Sequence, residues 1–72
     1  MTLPERFGRT VRRLREAAGY SQEAFADRAK VHRTYMGTVE RGETNLTLEN
    51  IEKIARALSL KTWQLLKETE EG

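Results

Sequence analysis

The sequence predicts an all-α fold of five short helices, and three observations carry the prediction. Apolar residues recur at three- and four-residue spacing, Ser or Thr stands ahead of several such stretches, and Gly follows two of them. Together these mark helix faces, starts and stops in one continuous pattern.

The first helix spans about residues 3–18. Thr2 and Glu5 make the TxxE capping-box pattern, Pro4 is tolerated in a first turn, and Gly19 ends the helix. Phe7, Val11, Leu14 and Ala18 share one face and form its core side, while Arg6, Arg9, Arg12 and Arg13 lie elsewhere. Long basic side chains commonly cover amphipathic helices, so these arginines read equally well as a solvated face. The second helix runs from an N-cap at Ser21 to about Ala29, with Phe25, Ala26 and Ala29 inward. The third, about residues 33–41, turns Met36 and Val39 inward, leaves Thr34, Tyr35 and Thr38 outside, and stops at Gly42, suited to a left-handed cap. After a loop, Thr47 caps a fourth helix to about Leu58, with Leu48, Ile51, Ala55 and Leu58 as its apolar stripe. The fifth covers about residues 62–68, with Leu65 on one side and Trp63 and Leu66 on another, followed by a frayed acidic tail, ETEEG.

Seventy-two residues make one domain, close to the lower size limit at which a chain buries roughly 60% of its unfolded surface and folds unaided. With no cysteine, neither disulfides nor thiolate metal sites supply stability. The single His32 makes a metal site improbable, and no metal or other cofactor is expected. No apolar run approaches the roughly 20 residues of a membrane span, and the N-terminus lacks a signal-peptide stretch, so a soluble, cytoplasmic protein is expected. An enzyme is disfavoured: there is no Ser, His and acid arrangement and no phosphate-cradling glycine loop. The net charge of +2 conceals an asymmetry, with nine basic against five acidic residues in 1–42 and four against six in 43–72.

The basic part contains residues 21–42, SQEAFADRAKVHRTYMGTVERG, which read as two short helices joined by a tight bend, a helix-turn-helix. Such units place their second helix in the DNA major groove, which makes the segment between His32 and Arg41 a candidate for base and phosphate contact.

On LR at Leu14 and Arg15, GYSQEAFA at 19–26, RTYMGTVERG at 33–42, NLTLENI from Asn45 and ARAL from Ala55, the chain resembles the phage-repressor and Cro type of helix-turn-helix, the XRE family. The resemblance covers nearly the whole chain. It implies a lambda-repressor-like domain and a DNA-binding transcriptional regulator, a homodimer on a palindromic operator, most like the controller proteins of restriction-modification operons. It also implies that Gln22 touches a phosphate, that Arg33, Thr34 and Thr38 face base edges, and that Tyr35, Arg41 and Asn45 meet the sugar-phosphate backbone. The residue types suit those tasks: a guanidinium can bond guanine bidentately, a threonine methyl can meet a thymine methyl, and a helix N-terminus favours phosphate.

The resemblance further pairs Arg15 with Glu40, against the plainer reading of a surface ion pair contributing roughly 0 to 1 kcal/mol. Trp63 and Leu66 are candidates for a dimer interface or for a lid on the core. Four positions depart from the family pattern. Lys30 stands where Gly is usual in the bend, so a left-handed backbone there costs about 1 kcal/mol relative to Gly. His32 replaces the usual Ser, Thr or Asp cap, and imidazole is not among the favoured caps. Glu43 and Thr44 replace residues that are often basic, and Trp63 replaces a usually polar one. The competing reading is an antitoxin-like or adaptor helix-turn-helix whose main partner is another protein.

Overall fold

The computed structural model describes residues 1–72 and contains α1 (Leu3–Ala17), α2 (Gln22–Ala29), α3 (Arg33–Glu40), α4 (Leu48–Ala57) and α5 (Thr62–Glu71), with no strand. Four of the five N-termini are closed by a side chain of the residue just outside. Thr2, Ser21 and Thr47 accept from the backbone N–H three residues on, and the Glu5 carboxylate returns a bond to the Thr2 N–H at 2.8 Å, completing the capping box. The fourth cap corrects the sequence reading. His32 does close α3, its Nδ1 accepting from the Thr34 N–H at 3.0 Å. An unprotonated imidazole nitrogen is an acceptor like a hydroxyl oxygen, and the extended His32 backbone lets it reach the orphan donor. Lys61 has no acceptor to offer, so α5 begins with only the returning half of a box, Gln64 Oε1 to the Lys61 N–H at 2.8 Å.

The first four helices end identically. In each, a residue of positive φ, one past the C-cap in α1, α3 and α4 and the C-cap itself in α2, donates to the carbonyl three residues back, while the next residue donates to the carbonyl five back: Gly19 and Tyr20, then Gly42 and Glu43, with Lys30 and Val31 between them and Ser59 and Leu60 last. For α2 the left-handed residue is Lys30 itself, at φ 61° and ψ 41°. The left-handed backbone anticipated there is present, without the glycine that would relieve it. Tyr20, Val31 and Leu60, each just past such a residue, pack against the core.

That core consists of Phe7, Val11, Phe25, Ala26, Ala29, Met36, Val39, Ile54, Ala55, Ala57 and Leu65. Each full-sized member contributes about 1.5–3 kcal/mol by leaving water. Three expectations fail here. Ala18 is exposed because α1 ends before it, and Thr10, Gly8 and Arg15 complete the buried face instead. Leu48 is 77% exposed, lying in the first turn of α4 ahead of the packed stretch, whose buried apolar residues are Ile54, Ala55 and Ala57. The acidic tail is helical to Glu71, with Thr69 buried and its hydroxyl bonded to the Leu65 carbonyl at 2.9 Å.

The crossing of α1 over α3 depends on Gly8. A Cβ there would stand 2.6 Å from the Glu40 carbonyl oxygen, with the Val39 carbonyl nearer still, so only hydrogen lets the helices approach this closely. Gly42 is constrained twice, by its φ of +72° and by a would-be Cβ 2.6 Å from the Glu5 Cα. These two contacts pin both ends of α3's C-terminal turn against α1.

Candidate nucleic-acid interface

At 100° per residue, α3 puts Met36, Val39 and Glu40 on one side and Thr34, Thr38 and Arg41 on the opposite one. Thr34, Arg33 and Arg41 are exposed, Thr38 is half-buried, and Tyr35 is half-buried on the flank. The helix can present this face because its inner residues are held in the core and its first turn is fixed by the bend at Lys30 and the His32 cap.

Beneath the face lies a buried ion pair. Arg15 Nε and Nη2 donate to the two oxygens of Glu40 at 2.7 and 3.0 Å, and Arg15 Nη1 donates to the Tyr20 carbonyl at 2.9 Å. The side chains are only 9% and 4% exposed. The hydrogen bond to Glu40 raises the guanidinium pKa above its ordinary value, with the charges of Glu40 and Glu16 adding to it and burial opposing it. Gln22 belongs to the same network, since its Nε2 donates to Glu40 Oε1 at 3.1 Å. One amide hydrogen of Gln22 is thus directed into the protein.

The exposed cations are each steered by a carboxylate whose pairing the sequence did not mark. Arg33 Nη1 lies 3.1 Å from Glu23 on α2, and Arg41 Nε lies 3.0 Å from Glu43. Both pairs are solvated, so their net stabilisation is small, and the guanidiniums remain available to a ligand. Gly37 serves as a notch for Arg41: a Cβ would come 3.1 Å from Arg41 Nη1 and 3.6 Å from Gln22 Oε1. The empty position lets the guanidinium lie along the helix beside Gln22.

On the other flank, Thr38 Oγ1 donates to the Tyr35 carbonyl at 2.7 Å and Asn50 Nδ2 donates to the Tyr35 hydroxyl at 3.0 Å. Asn50 was missed in the sequence because its partner is 15 residues away on another helix. Asn45 is exposed and lies apart from the α3 face, at the rim of an apolar groove lined by Leu3, Phe7, Leu46, Ile51 and Leu66. Leu66 therefore packs against the core, whereas Trp63 is 58% exposed and is no lid on it. The two share a side of α5 without sharing an environment. No helix is long and apolar enough to cross a membrane.

Comparison with known proteins places the fold among helix-turn-helix domains. The helix-turn-helix domain family matches residues 6–65. The chain is 43% identical over 67 residues to control protein C.BamHI of Bacillus amyloliquefaciens, covering 92% of this chain and 83% of that one. The restriction-modification controller protein C.AhdI from Aeromonas hydrophila superposes with a TM-score of 0.82 at 44% identity, over 86% of this chain and 94% of that one. C.Esp1396I bound to a 25 base pair operator site superposes with a TM-score of 0.83 over 100% and 99% of the two chains, a likeness of fold alone at 24% identity.

Proposed function

The chain belongs to the helix-turn-helix family and is a DNA-binding transcriptional regulator, and from that premise we propose that it is a controller of a restriction-modification operon, acting as a homodimer on a twofold operator. The observation that carries this reading is the outward face of α3, where Arg33, Thr34, Thr38 and Arg41 stand free of the core on a helix rigidly seated by its inner side. In this reading Arg33, Thr34 and Thr38 meet base edges, and Gln22, Tyr35, Arg41 and Asn45 meet the backbone or its vicinity. Arg15 and Glu40 hold the unit together. One module reads a short half-site, and two recognition helices about 34 Å apart read one face of DNA. Trp63, with Leu66 beside it, is the surface through which two copies meet.

The test is protection of DNA upstream of the protein's own gene, followed by titration of Arg33→Ala and Arg41→Ala against the protected duplex and a scrambled one. Two protected half-sites about one helical turn apart are expected. Arg33→Ala should lose roughly 1–3 kcal/mol on the operator and much less on scrambled DNA, flattening discrimination at one base pair. Arg41→Ala should weaken both duplexes and lower the salt slope by about one. Equal weakening of both duplexes by Arg33→Ala would make Arg33 a phosphate clamp and remove the base-reading role.

A further inference from the structure

Tyr35 is the one uncharged residue of the α3 face whose polar tip is held by a different helix. Asn50 Nδ2 donates to its hydroxyl at 3.0 Å. Asn50 itself sits in the first turn of α4, where its backbone N–H donates to the Thr47 cap at 3.1 Å, so the amide is anchored at its base. From the other side, the Thr38 hydroxyl ties the Tyr35 carbonyl at 2.7 Å.

A phenolic hydroxyl has one hydrogen to give and two lone pairs to receive. With an amide N–H occupying a lone pair from the α4 side, the hydroxyl hydrogen turns away from Asn50. Tyr35 is half-buried, with its ring partly packed on the core, so the hydroxyl cannot swing freely to another partner. The group that remains available is a fixed, neutral donor. Phosphate oxygens are acceptors only, whereas base edges mix donors with acceptors. We propose that Asn50 is a positioning residue, holding the Tyr35 hydroxyl as a hydrogen-bond donor to a phosphate oxygen of bound DNA. The inference rests on the reading of α3 as the DNA-facing helix, and it adds a residue on α4 that acts only through Tyr35.

Because phosphate contact is independent of sequence, the probe is a random-sequence duplex of about two helical turns, titrated at several salt concentrations. Tyr35→Phe and Asn50→Ala should each weaken binding by about 10- to 150-fold, the range expected for one hydrogen bond to a charged acceptor. The double variant should be no weaker than Tyr35→Phe alone, and the salt slope should stay at the wild-type value, since a neutral donor releases no counterion. Asn50→Asp keeps size and suits the first turn of a helix, but it accepts from the tyrosine and turns the hydroxyl inward. Its penalty should therefore be larger with Tyr35 present than in the Tyr35→Phe background, which subtracts the effect of the added charge. That comparison also serves if Asn50→Ala fails to fold. Arg41→Ala separates the two levels of the reading. If the wild-type protein ignores the duplex, or Arg41→Ala binds it unchanged, the DNA-facing assignment of α3 falls and the proposal with it. If Arg41→Ala weakens binding while the Asn50 and Tyr35 penalties simply add, or Asn50→Asp costs the same in both backgrounds, only the positioning role is overturned.

Discussion

Removing Glu40 should unfold this domain more readily than removing any other surface-type residue. The perturbation is Glu40→Ala. It deletes both acceptors of Arg15 Nε and Nη2, at 2.7 and 3.0 Å, and strands a guanidinium whose side chain is 9% exposed. Its remaining partners are the Tyr20 carbonyl at 2.9 Å and Glu16 at 3.9 Å, the latter largely in solvent. Gln22 also loses its acceptor. Breaking a buried pair by removing one member costs about 3–5 kcal/mol, because the survivor stays desolvated, and the residual bond to Tyr20 places Glu40→Ala near the lower end, at about 3. A domain of this size has roughly 4–11 kcal/mol in all, so this is a large share. Urea unfolding of the wild type, Glu40→Ala, Arg15→Met and the double variant measures it, urea being uncharged and leaving ion pairs unscreened. The loss in the double variant should fall well short of the sum of the single losses, with a coupling energy of at least about 1.5 kcal/mol. A loss below about 1 kcal/mol for Glu40→Ala, with coupling near zero, would mean that the pair behaves as a solvated one and that its burial has no energetic consequence.

Lys30→Gly should be neutral or stabilising by up to about 1 kcal/mol, since it relieves the left-handed backbone at φ 61° despite the freer unfolded chain; a clear loss in thermal unfolding would refute the strain. Gly8→Ala should destabilise by more than about 2 kcal/mol although alanine is the better helix former, because the new methyl meets the Glu40 carbonyl; a denaturation midpoint at or above wild type would show that α1 and α3 separate at no cost. Glu5 has its pKa lowered, chiefly by the backbone hydrogen bond from Thr2 and then by the Thr2 hydroxyl. A depressed carboxylate contributes stability that is present above the ordinary glutamate pKa and lost as pH falls through the lower folded value. Glu5→Gln should therefore lose that contribution at neutral pH and match the wild type below the folded value, flattening the acid limb between those two points; an unaltered acid limb would count against the capping box. Trp63→Ala should lower the dimer fraction in sedimentation with helicity unchanged, and loss of helicity without loss of association would place Trp63 in the fold instead.

Local signals survived folding wherever a residue acts on its own neighbours. Thr2, Ser21 and Thr47 cap the helices they precede, Gly42 takes the positive φ that its position after α3 demands, and Met36, Val39, Phe25 and Leu65 are buried as their spacing requires. Those properties belong to a few consecutive residues, so periodicity and side-chain chemistry specify them in any fold. The outward face of α3 was legible for the same reason, as the complement of Met36 and Val39 on one short helix. What failed involved the ends of elements and the approach of different ones. Ala18 and Leu48 have the right residue type but lie where no second helix covers them, and His32 caps because its own backbone, set by the bend, brings Nδ1 to the orphan donor.

The sequence alone therefore determined five amphipathic helices, a helix-turn-helix in its basic half, and which side of α3 is left for a ligand. Only the tertiary structure decided how that side is built. It revealed Gly8 as the contact point of α1 and α3, Gly37 as the bed of Arg41, Glu23 and Glu43 as the partners of the exposed arginines, and Asn50 as the holder of Tyr35. Hydrogen bonds and close contacts act over about 3 Å, and Gly8 with Glu40, Glu23 with Arg33 and Asn50 with Tyr35, which lie 10 to 32 residues apart, acquire those distances only when the helices pack.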